Sequence, residues 1–186
     1  MRRGFTLVEF GVVVGILAVI TLVVLAVLNP AERFRESRDA QRVADLTTLK
    51  KAVSLYLAVL KKPDLDGAGI CKDNFWASVE GAVENFSGSP SQFNSTSVMV
   101  DGTGWLPINL TNIPGGAPIT ELPVDPINSP EHAYTYRCNT TNLSFEFNAK
   151  MESARYQKDG DDDVEFVDGG DNESVYEVGN TSAKNL

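Results

Sequence analysis

One acidic side chain, Glu9, lies inside an otherwise apolar stretch and is the first candidate for chemistry in this sequence. Residues 5–28 read FTLVEFGVVVGILAVITLVVLAVL, and Glu9 is their only ionisable residue. A run of this length and composition is long enough to cross a bilayer as a helix. Because a carboxylate in hydrocarbon costs about 2.5–3.5 kcal/mol on insertion scales, we expect Glu9 to have a functional partner.

The residues before the apolar stretch suggest what that partner is. Two arginines precede Gly4, and the apolar run follows it, whereas a secretory signal peptide is cut after its apolar region. The residues G-F-T-L-V-E at 4–9 closely resemble the processing motif of type IV pilins and the related pseudopilins. By that resemblance, a prepilin peptidase cuts between Gly4 and Phe5 and methylates the new N-terminus of Phe5. Glu9 then neutralises such an amine on the neighbouring subunit during filament assembly.

Simple electrostatics are consistent with that pairing. An α-amine with a pKa of about 7.7–8.0 can be cationic at neutral pH. Opposite charges about 4 Å apart gain on the order of 4 kcal/mol at an effective dielectric near 20, which is comparable with the insertion cost. Phe5 also lies one helical turn from Glu9, so the pair can form within one chain, and the sequence leaves both arrangements open. A signal anchor with Glu9 near the membrane interface is the remaining alternative.

The two cysteines, Cys71 and Cys138, lie far apart in the sequence and have no metal-type spacing. In an exported domain such a pair is more often a disulfide than two thiols. We therefore predict a bridge between them, with two buried thiols as the alternative.

Seven acidic residues lie between positions 159 and 171, a segment called here the acidic loop. Asp159, Asp161 and Asp163 match the first, third and fifth positions of a calcium-binding loop. Val164 and Gly170 occupy the positions that require Gly and Glu, which excludes an EF-hand. A calcium site at the three aspartates, which the resemblance to major pseudopilins also implies, and a plain solvated loop both remain open. No other cofactor is expected.

Catalytic motifs are missing from the sequence. The only histidine, His132, is followed by no nucleophile pattern, and no glycine-rich phosphate loop is present. Residues 63–186 carry a net charge of −14 within a total of −9, which argues against nucleic-acid binding by this part of the chain. We therefore expect a substrate of processing and assembly enzymes, not an enzyme.

Asn-x-Ser/Thr sequons are more frequent than chance predicts for this composition. They indicate either surface glycosylation or simply exposed turns rich in Asn and Thr. The seven positions are Asn85, Asn94, Asn109, Asn139, Asn142, Asn172 and Asn180.

A second helix is predicted from residue 29 to residue 62, continuing the apolar one. Pro30 is tolerable in a first turn or as a kink, and Pro63 ends the pattern. Apolar residues recur at spacings of three and four and define one buried face. They are Val43, Leu46, Leu49, Val53, Tyr56, Leu57 and Leu60.

Residues 63–186 are expected to form a β-rich head. Residues 133–138 and 143–151 predict a hairpin, and the alternation in its second strand predicts one buried and one wet face, with Ser144, Glu146, Asn148 and Lys150 in water. Further strands are predicted at 98–100, 164–167 and 175–178. The fold class is therefore α+β, a long N-terminal helix on a small antiparallel sheet.

The expected organisation is a leader at 1–4, a membrane or filament-core helix at 5–28, an amphipathic helix at 29–62 and a head at 63–186. The resemblance implies a structural subunit that waits as a single-pass protein in the cytoplasmic (inner) membrane and then polymerises into an extracellular helical filament. Its partners would be further copies of itself, the prepilin peptidase and the pilus assembly machinery. A type II secretion pseudopilin, a minor pilin, and a membrane-anchored surface binding module that never polymerises are the alternatives.

Overall fold

The computed structural model describes residues 4, 6–67, 71–83, 86, 90–180 and 186. The chain forms two compact units, Met1–Arg35 and Glu36–Leu186. The first unit contains the apolar helix, and the second contains the sheet with most of the amphipathic helix.

Two helices occupy the N-terminal third: α1 is Leu7–Leu28 and α2 is Pro30–Val59. Asn29 between them has a left-handed backbone with φ of 39°. Its carbonyl accepts the first bonds of α2, from the backbone N–H groups of Glu32 and Arg33. Pro30 takes the first position of α2, where its missing N–H costs no hydrogen bond, and it disfavours a helical conformation at Asn29. The bend that Pro30 predicts therefore falls one residue before it.

Five strands form one sheet in the described chain: β1 Asn74–Ala77, β2 Ser91–Asn94, β3 Thr135–Asn139, β4 Ser144–Ala149 and β5 Tyr176–Gly179. Their spatial order is β2-β1-β3-β4-β5. The β1–β2 pair is parallel and the other three pairs are antiparallel, so the sheet is mixed. The predicted α+β fold class is confirmed.

The predicted hairpin is confirmed as β3 and β4. Tyr136 pairs with Phe147 across the two strands. The turn is closed by asparagine side chains: Asn139 Oδ1 accepts the N–H of Thr141 at 2.9 Å, and Asn142 Oδ1 accepts the N–H of Ser144 at 3.1 Å. These Asx bonds stabilise a tight connection without a glycine.

The predicted wet face of this hairpin is wrong for three of its four residues. Ser144, Glu146 and Asn148 are buried, with at most 2 % of their surface exposed, whereas Lys150 is exposed as predicted. The strand β4 is internal to the sheet, and the backbone N–H of Leu186 reaches Glu146 on this second face. A small apolar cluster covers the same side of the sheet near β1. It consists of Phe75, Ala77, Ala82, Phe86 and Ala133.

Of the three further strands predicted, only the last exists, as β5. Residues 165–167 form a turn, in which Asp163 Oδ1 accepts the N–H of Phe166 at 2.9 Å. Val98 and Val100 each accept one isolated backbone bond, from Leu122 and Leu110 respectively, which is too little for a ladder. The short strands β1 and β2 were not predicted because neither alternates: β1 is buried throughout, whereas β2 is mostly exposed.

The main core lies between α2 and one face of the sheet. The predicted apolar face of α2 supplies Leu46, Leu49 and Val53, which are fully buried. The sheet supplies Tyr136 and Phe147, whose ring centroids lie 5.0 Å apart. Packing of this helix face on aromatic side chains explains why the second unit is compact.

Candidate assembly site

Glu9 begins α1 as part of a capping box with Thr6. The side-chain oxygen of Thr6 accepts the N–H of Glu9 at 3.2 Å, and Glu9 Oε2 accepts the N–H and the hydroxyl of Thr6, both at 2.8 Å. The box satisfies two backbone donors that a helix N-terminus otherwise leaves unpaired. Sequence reasoning sought a charged partner and missed this neutral one, although the Thr-x-x-Glu signature is visible in the sequence.

The predicted cleavage position lies just before this box. Gly4 is exposed, and a Cβ added to it would meet no atom within 4 Å. Packing within the chain therefore does not require glycine at position 4. Phe5 lies outside the described residues, and its pairing with Glu9 remains a prediction.

The surface of α1 is apolar on all sides. The side chains of residues 7–25 are exposed, including Leu7 at 89 % and Leu22 at 69 %. The helix has 22 residues and is about 33 Å long at 1.5 Å per residue, which matches the hydrocarbon core of a bilayer. Among the described residues, the N-terminal helical segment is the one candidate for a membrane span. A helix with this surface needs a nonaqueous environment.

Two glycines interrupt the apolar surface of α1 at a spacing of four residues. A Cβ on Gly11 or on Gly15 would meet no atom within 4 Å. Each glycine costs about 1 kcal/mol of helix propensity relative to alanine. Contacts within the chain do not explain that cost, whereas small residues at this spacing allow two apolar helices to approach closely.

The predicted disulfide between Cys71 and Cys138 is confirmed. Their Cα atoms lie 5.0 Å apart, and both residues are buried. Cys71 opens a short 3-10 turn, Cys71–Asp73, and Cys138 lies in β3. The bridge therefore ties the segment after α2 to the centre of the sheet.

A buried ion-pair network in the second unit was not predicted from the sequence. The guanidinium of Arg42 is fully buried and binds Asp125 through two nitrogens, at 2.6 and 3.0 Å. Its Nη1 also donates to Asp39 at 2.7 Å and to Glu152 at 2.8 Å. Arg38 adds two bonds to Glu152 at the rim of the network. The segments around Asp125 and Glu152 are thus fixed to one face of α2.

Each carboxylate in this network makes hydrogen bonds. The Oδ2 atom of Asp39 accepts the N–H of Ser153 at 2.8 Å, and Asp125 Oδ1 accepts the N–H of Ile127 at 2.8 Å. Burial alone raises the pKa of Glu152, but the hydrogen bonds and charges of the two arginines outweigh it and lower that pKa to about 2. Glu152 therefore stays ionised at neutral pH. The role of the network is to hold the segments around Asp125 and Glu152 against α2.

The three aspartates proposed for calcium do not form a ligand group. Asp163 uses one carboxylate oxygen for the N–H of Asp159 and the other for that of Phe166, both at 2.9 Å. These bonds, with that of Phe166 the largest, lower the pKa of Asp163. In the described part of the chain, no three Asp, Glu, His or Cys side chains are grouped so as to hold a metal ion. Asp161 is exposed. Calcium binding by this loop remains a prediction.

Four of the seven sequons have a structural explanation that needs no modification. Asn109, Asn142 and Asn172 each accept both the N–H and the hydroxyl of the Ser or Thr two positions later. Asn139 accepts the N–H of Thr141 in the same way. The additional hydroxyl bond requires Ser or Thr at the second position after the Asn, which is also the sequon pattern. Asn85 lies outside the described residues.

His132 lies in a turn, and not beside a nucleophile pattern. Its backbone N–H donates to the carbonyl of Ser129 at 3.0 Å, and the N–H of Ser129 returns a bond at 2.9 Å. The residue is half-buried. Its placement agrees with a turn residue.

Comparison with known proteins found no match for this chain. No protein-family model matches it, and neither a curated protein nor a solved structure matches it. Its function is therefore inferred from the motif at residues 4–9 and from the exposed surface of α1.

Proposed function

We propose that the chain is a type IV pilin-like structural subunit, cut by a prepilin peptidase after Gly4 and polymerised into an extracellular helical filament. The observation that carries this proposal is the exposed, fully apolar helix α1, which opens with the G-F-T-L-V-E motif at 4–9 and a single carboxylate. The exposed apolar surface of α1 supports a chain anchored in a membrane. That the anchored chain then polymerises is the additional part of this proposal.

The apolar surface of α1 is suited to two environments in turn, the lipid bilayer and then the core of a filament. Lipid covers such a helix before assembly, since its length fits a bilayer. In a filament, the same helices from other copies replace the lipid, and Gly11 and Gly15 allow their close approach. A chain that only needed an anchor would gain helix stability from alanine at both positions.

The carboxylate of Glu9 has no positively charged partner within the described chain, and this supports a role in polymerisation. Its hydrogen bonds within the described chain go to the neutral N–H and hydroxyl of Thr6. These bonds orient the carboxylate but do not cancel its charge. Cleavage after Gly4 produces an amine at Phe5, and the amine of a neighbouring copy supplies the missing positive charge during docking.

The disulfide in the second unit supports export of this unit from the cytosol. A disulfide that joins Cys71 and Cys138 is stable in an oxidising compartment and uncommon in the cytosol. In the proposed topology, the N-terminus stays on the cytoplasmic side of the membrane, and the head is displayed outside and later on the filament surface. The head acts as a structural element and not as an enzyme.

Two variants separate the charge of Glu9 from its role as a helix cap. Glu9→Gln keeps an oxygen that can complete the capping box but removes the charge, so we expect no filaments. Thr6→Ala removes the cap, at a cost of about 1 kcal/mol of helix stability, but keeps the charge, so filaments should form. Electron microscopy of cells with matched subunit levels provides the measurement.

N-terminal sequencing of the subunit from purified filaments completes this test. The proposal requires an N-methylated Phe5 as the first residue. If Glu9→Gln filaments are as abundant as wild type, or if the subunit still begins at Met1, the proposal fails. Mass spectrometry of the same filaments distinguishes a major subunit, which dominates the sample, from a minor pilin.

A further inference from the structure

We propose that the acidic loop of one copy docks on the outer face of α2 of a second copy, and that this contact repeats along the filament. The inference rests on the proposed polymerisation and goes beyond it by naming the contacting surfaces of the heads. Both surfaces lie in the unit Glu36–Leu186, so the proposed contact is between two heads.

The acidic loop, residues 159–171, combines charge with an exposed apolar pair. It contains seven acidic residues and no basic one. Phe166 and Val167 project from it with 56 % and 69 % of their surface exposed. Hydrogen bonds from the loop backbone to Asp163 give the loop a defined shape. Adjacent exposed aromatic and aliphatic side chains on an ordered loop are a common feature of protein interaction sites.

The outer face of α2 has the opposite charge and similar apolar content. Lys51, Leu55 and Val59 repeat at a spacing of four on one face of α2 and are all exposed, Leu55 at 41 % and Val59 at 42 %. Lys62 is also exposed and lies three residues beyond the end of the helix. This set is called here the basic stripe. Residues 46–62 contain four lysines and no acid. Within the described chain, neither Lys51 nor Lys62 forms an ion pair.

Lys50 does not belong to the basic stripe. It lines a cavity of about 220 Å³ together with Asp168 of the same chain. Lys50 therefore faces the acidic loop of its own chain and not a neighbouring copy. Lys51 lies one position further around the helix, and Leu55 and Val59 repeat that direction.

Complementary charge and matched apolar pairs make a second copy the best occupant of each surface. The stripe offers two aliphatic side chains between two ammonium groups, and the loop offers two apolar side chains among carboxylates. Because the two surfaces differ, each copy can bind one neighbour through its loop and another through its stripe. Such heterologous contacts produce open fibres when the rotation does not close a ring.

Cysteine cross-linking in filaments of the full chain tests the contact. The double variant Leu55→Cys with Val167→Cys places one thiol in each surface, and the native disulfide is buried away from both. We expect mild oxidation to give a ladder of covalent multimers that extends beyond the dimer. The matched control is Leu55→Cys with Phe93→Cys, since Phe93 is 48 % exposed on β2 and lies outside both surfaces. This control should give no ladder.

A charge reversal gives an independent readout. Lys51→Glu should lower filament yield about fivefold, because an attractive exposed pair becomes a repulsive one. Adding Asp161→Lys should restore most of the yield, whereas Lys150→Glu, an exposed site outside both surfaces, should leave it unchanged.

Four outcomes overturn the inference. Filaments of normal abundance without a ladder would show that the stripe faces something else, such as lipid or the assembly machinery. A single band at the dimer mass would show a closed pair. An unchanged yield for Lys51→Glu would exclude a charge contribution at this contact. Wild-type cells without filaments would overturn the proposed function itself, a result separable from the other three.

Discussion

Arg42 shows how one residue can hold a head together through charge inside its core. Its guanidinium is fully buried and contacts the carboxylates of Asp39, Asp125 and Glu152. A buried ion pair adds little net stability compared with a well-packed apolar cluster, but removing one partner is costly, because the remaining charges lose their compensation. The planar fork of arginine fits two bonds to Asp125, which lysine cannot reproduce.

We predict that Arg42→Met lowers the free energy of unfolding by about 3–5 kcal/mol, because three carboxylates then lie close together without their central cation. Arg42→Lys should recover only part of this loss. Urea unfolding of the full chain in detergent, followed by near-UV circular dichroism, measures both. Arg35→Met is the control, since its exposed ion pair with Glu32 should be worth at most about 1 kcal/mol. Similar losses for Arg35→Met and Arg42→Met would contradict the role of the network.

A second buried pair, Glu146 on β4 and Glu177 on β5, contains like charges. Burial, and then repulsion from Glu177, raises the pKa of Glu146 to about 9. Burial raises the pKa of Glu177 to about 7, with Asp168 and Asp171 adding to it. At neutral pH, therefore, the pair retains at least one proton that two ordinary carboxyls would have lost.

The raised pKa values of Glu146 and Glu177 determine how the stability of the protein changes with pH. In the unfolded chain both carboxyls titrate near pH 4.5, so between this pH and about 9 the native state binds more protons. The stability from this pair is complete below pH 4.5 and is lost as the pH rises through about 7 and about 9. We predict that the Tm of the wild type falls by about 3 °C more between pH 6 and pH 9 than that of Glu146→Gln.

Thermal unfolding of the full chain in detergent at the two pH values provides this comparison. Glu173→Gln, at an exposed carboxylate paired with Lys158, should show the same pH dependence as the wild type. Equal slopes for the wild type and Glu146→Gln would show that the buried pair does not titrate in this range.

Among the elements, β3 is joined covalently by the disulfide to the segment after α2. The bridge joins residues 67 positions apart. We predict that the double variant Cys71→Ser with Cys138→Ser loses about 4 kcal/mol of unfolding free energy, according to the loop-entropy estimate for a span of this length. Urea unfolding measures the loss, and the wild type treated with a reducing agent should behave like the double variant. A loss below about 1 kcal/mol would mean that the unfolded chain gains little freedom without the bridge.

The elements that the sequence predicts well are those with strong periodicity. Residues Leu46, Leu49 and Val53 mark the buried face of α2, and the alternation after residue 143 marks β4. The same alternation wrongly places Glu146 and Asn148 in water, because alternation reports polarity and not what covers a strand. That cover comes from residues distant in the sequence, among them Leu186.

Short elements without a pattern escape prediction. The strand β1 is buried on both faces, and its neighbour β2 is four residues long and mostly exposed. Neither alternates in polarity, so neither differs in sequence from a loop. Their parallel pairing also depends on the chain between them and not on a local turn.

At the scale of the whole molecule, the sequence predicts the candidate assembly site in the first unit but not the ion-pair network in the second. The apolar run and Glu9 are visible in the sequence, and so is Thr6 once a capping box is sought. The Arg42 network is not visible, because Asp125 and Glu152 lie 83 and 110 residues further along the chain. Local patterns identify local chemistry, whereas long-range ion pairs require the fold.

The separation of Arg42 from its carboxylates also bears on how the head matures. Pairings this distant in the sequence form slowly, because the intervening chain must first be confined. Until the segment with Glu152 has been synthesised, the guanidinium has no complete set of counter-charges, and the sheet lacks β5. We therefore expect a truncated chain that ends before Glu152 to remain open to proteolysis.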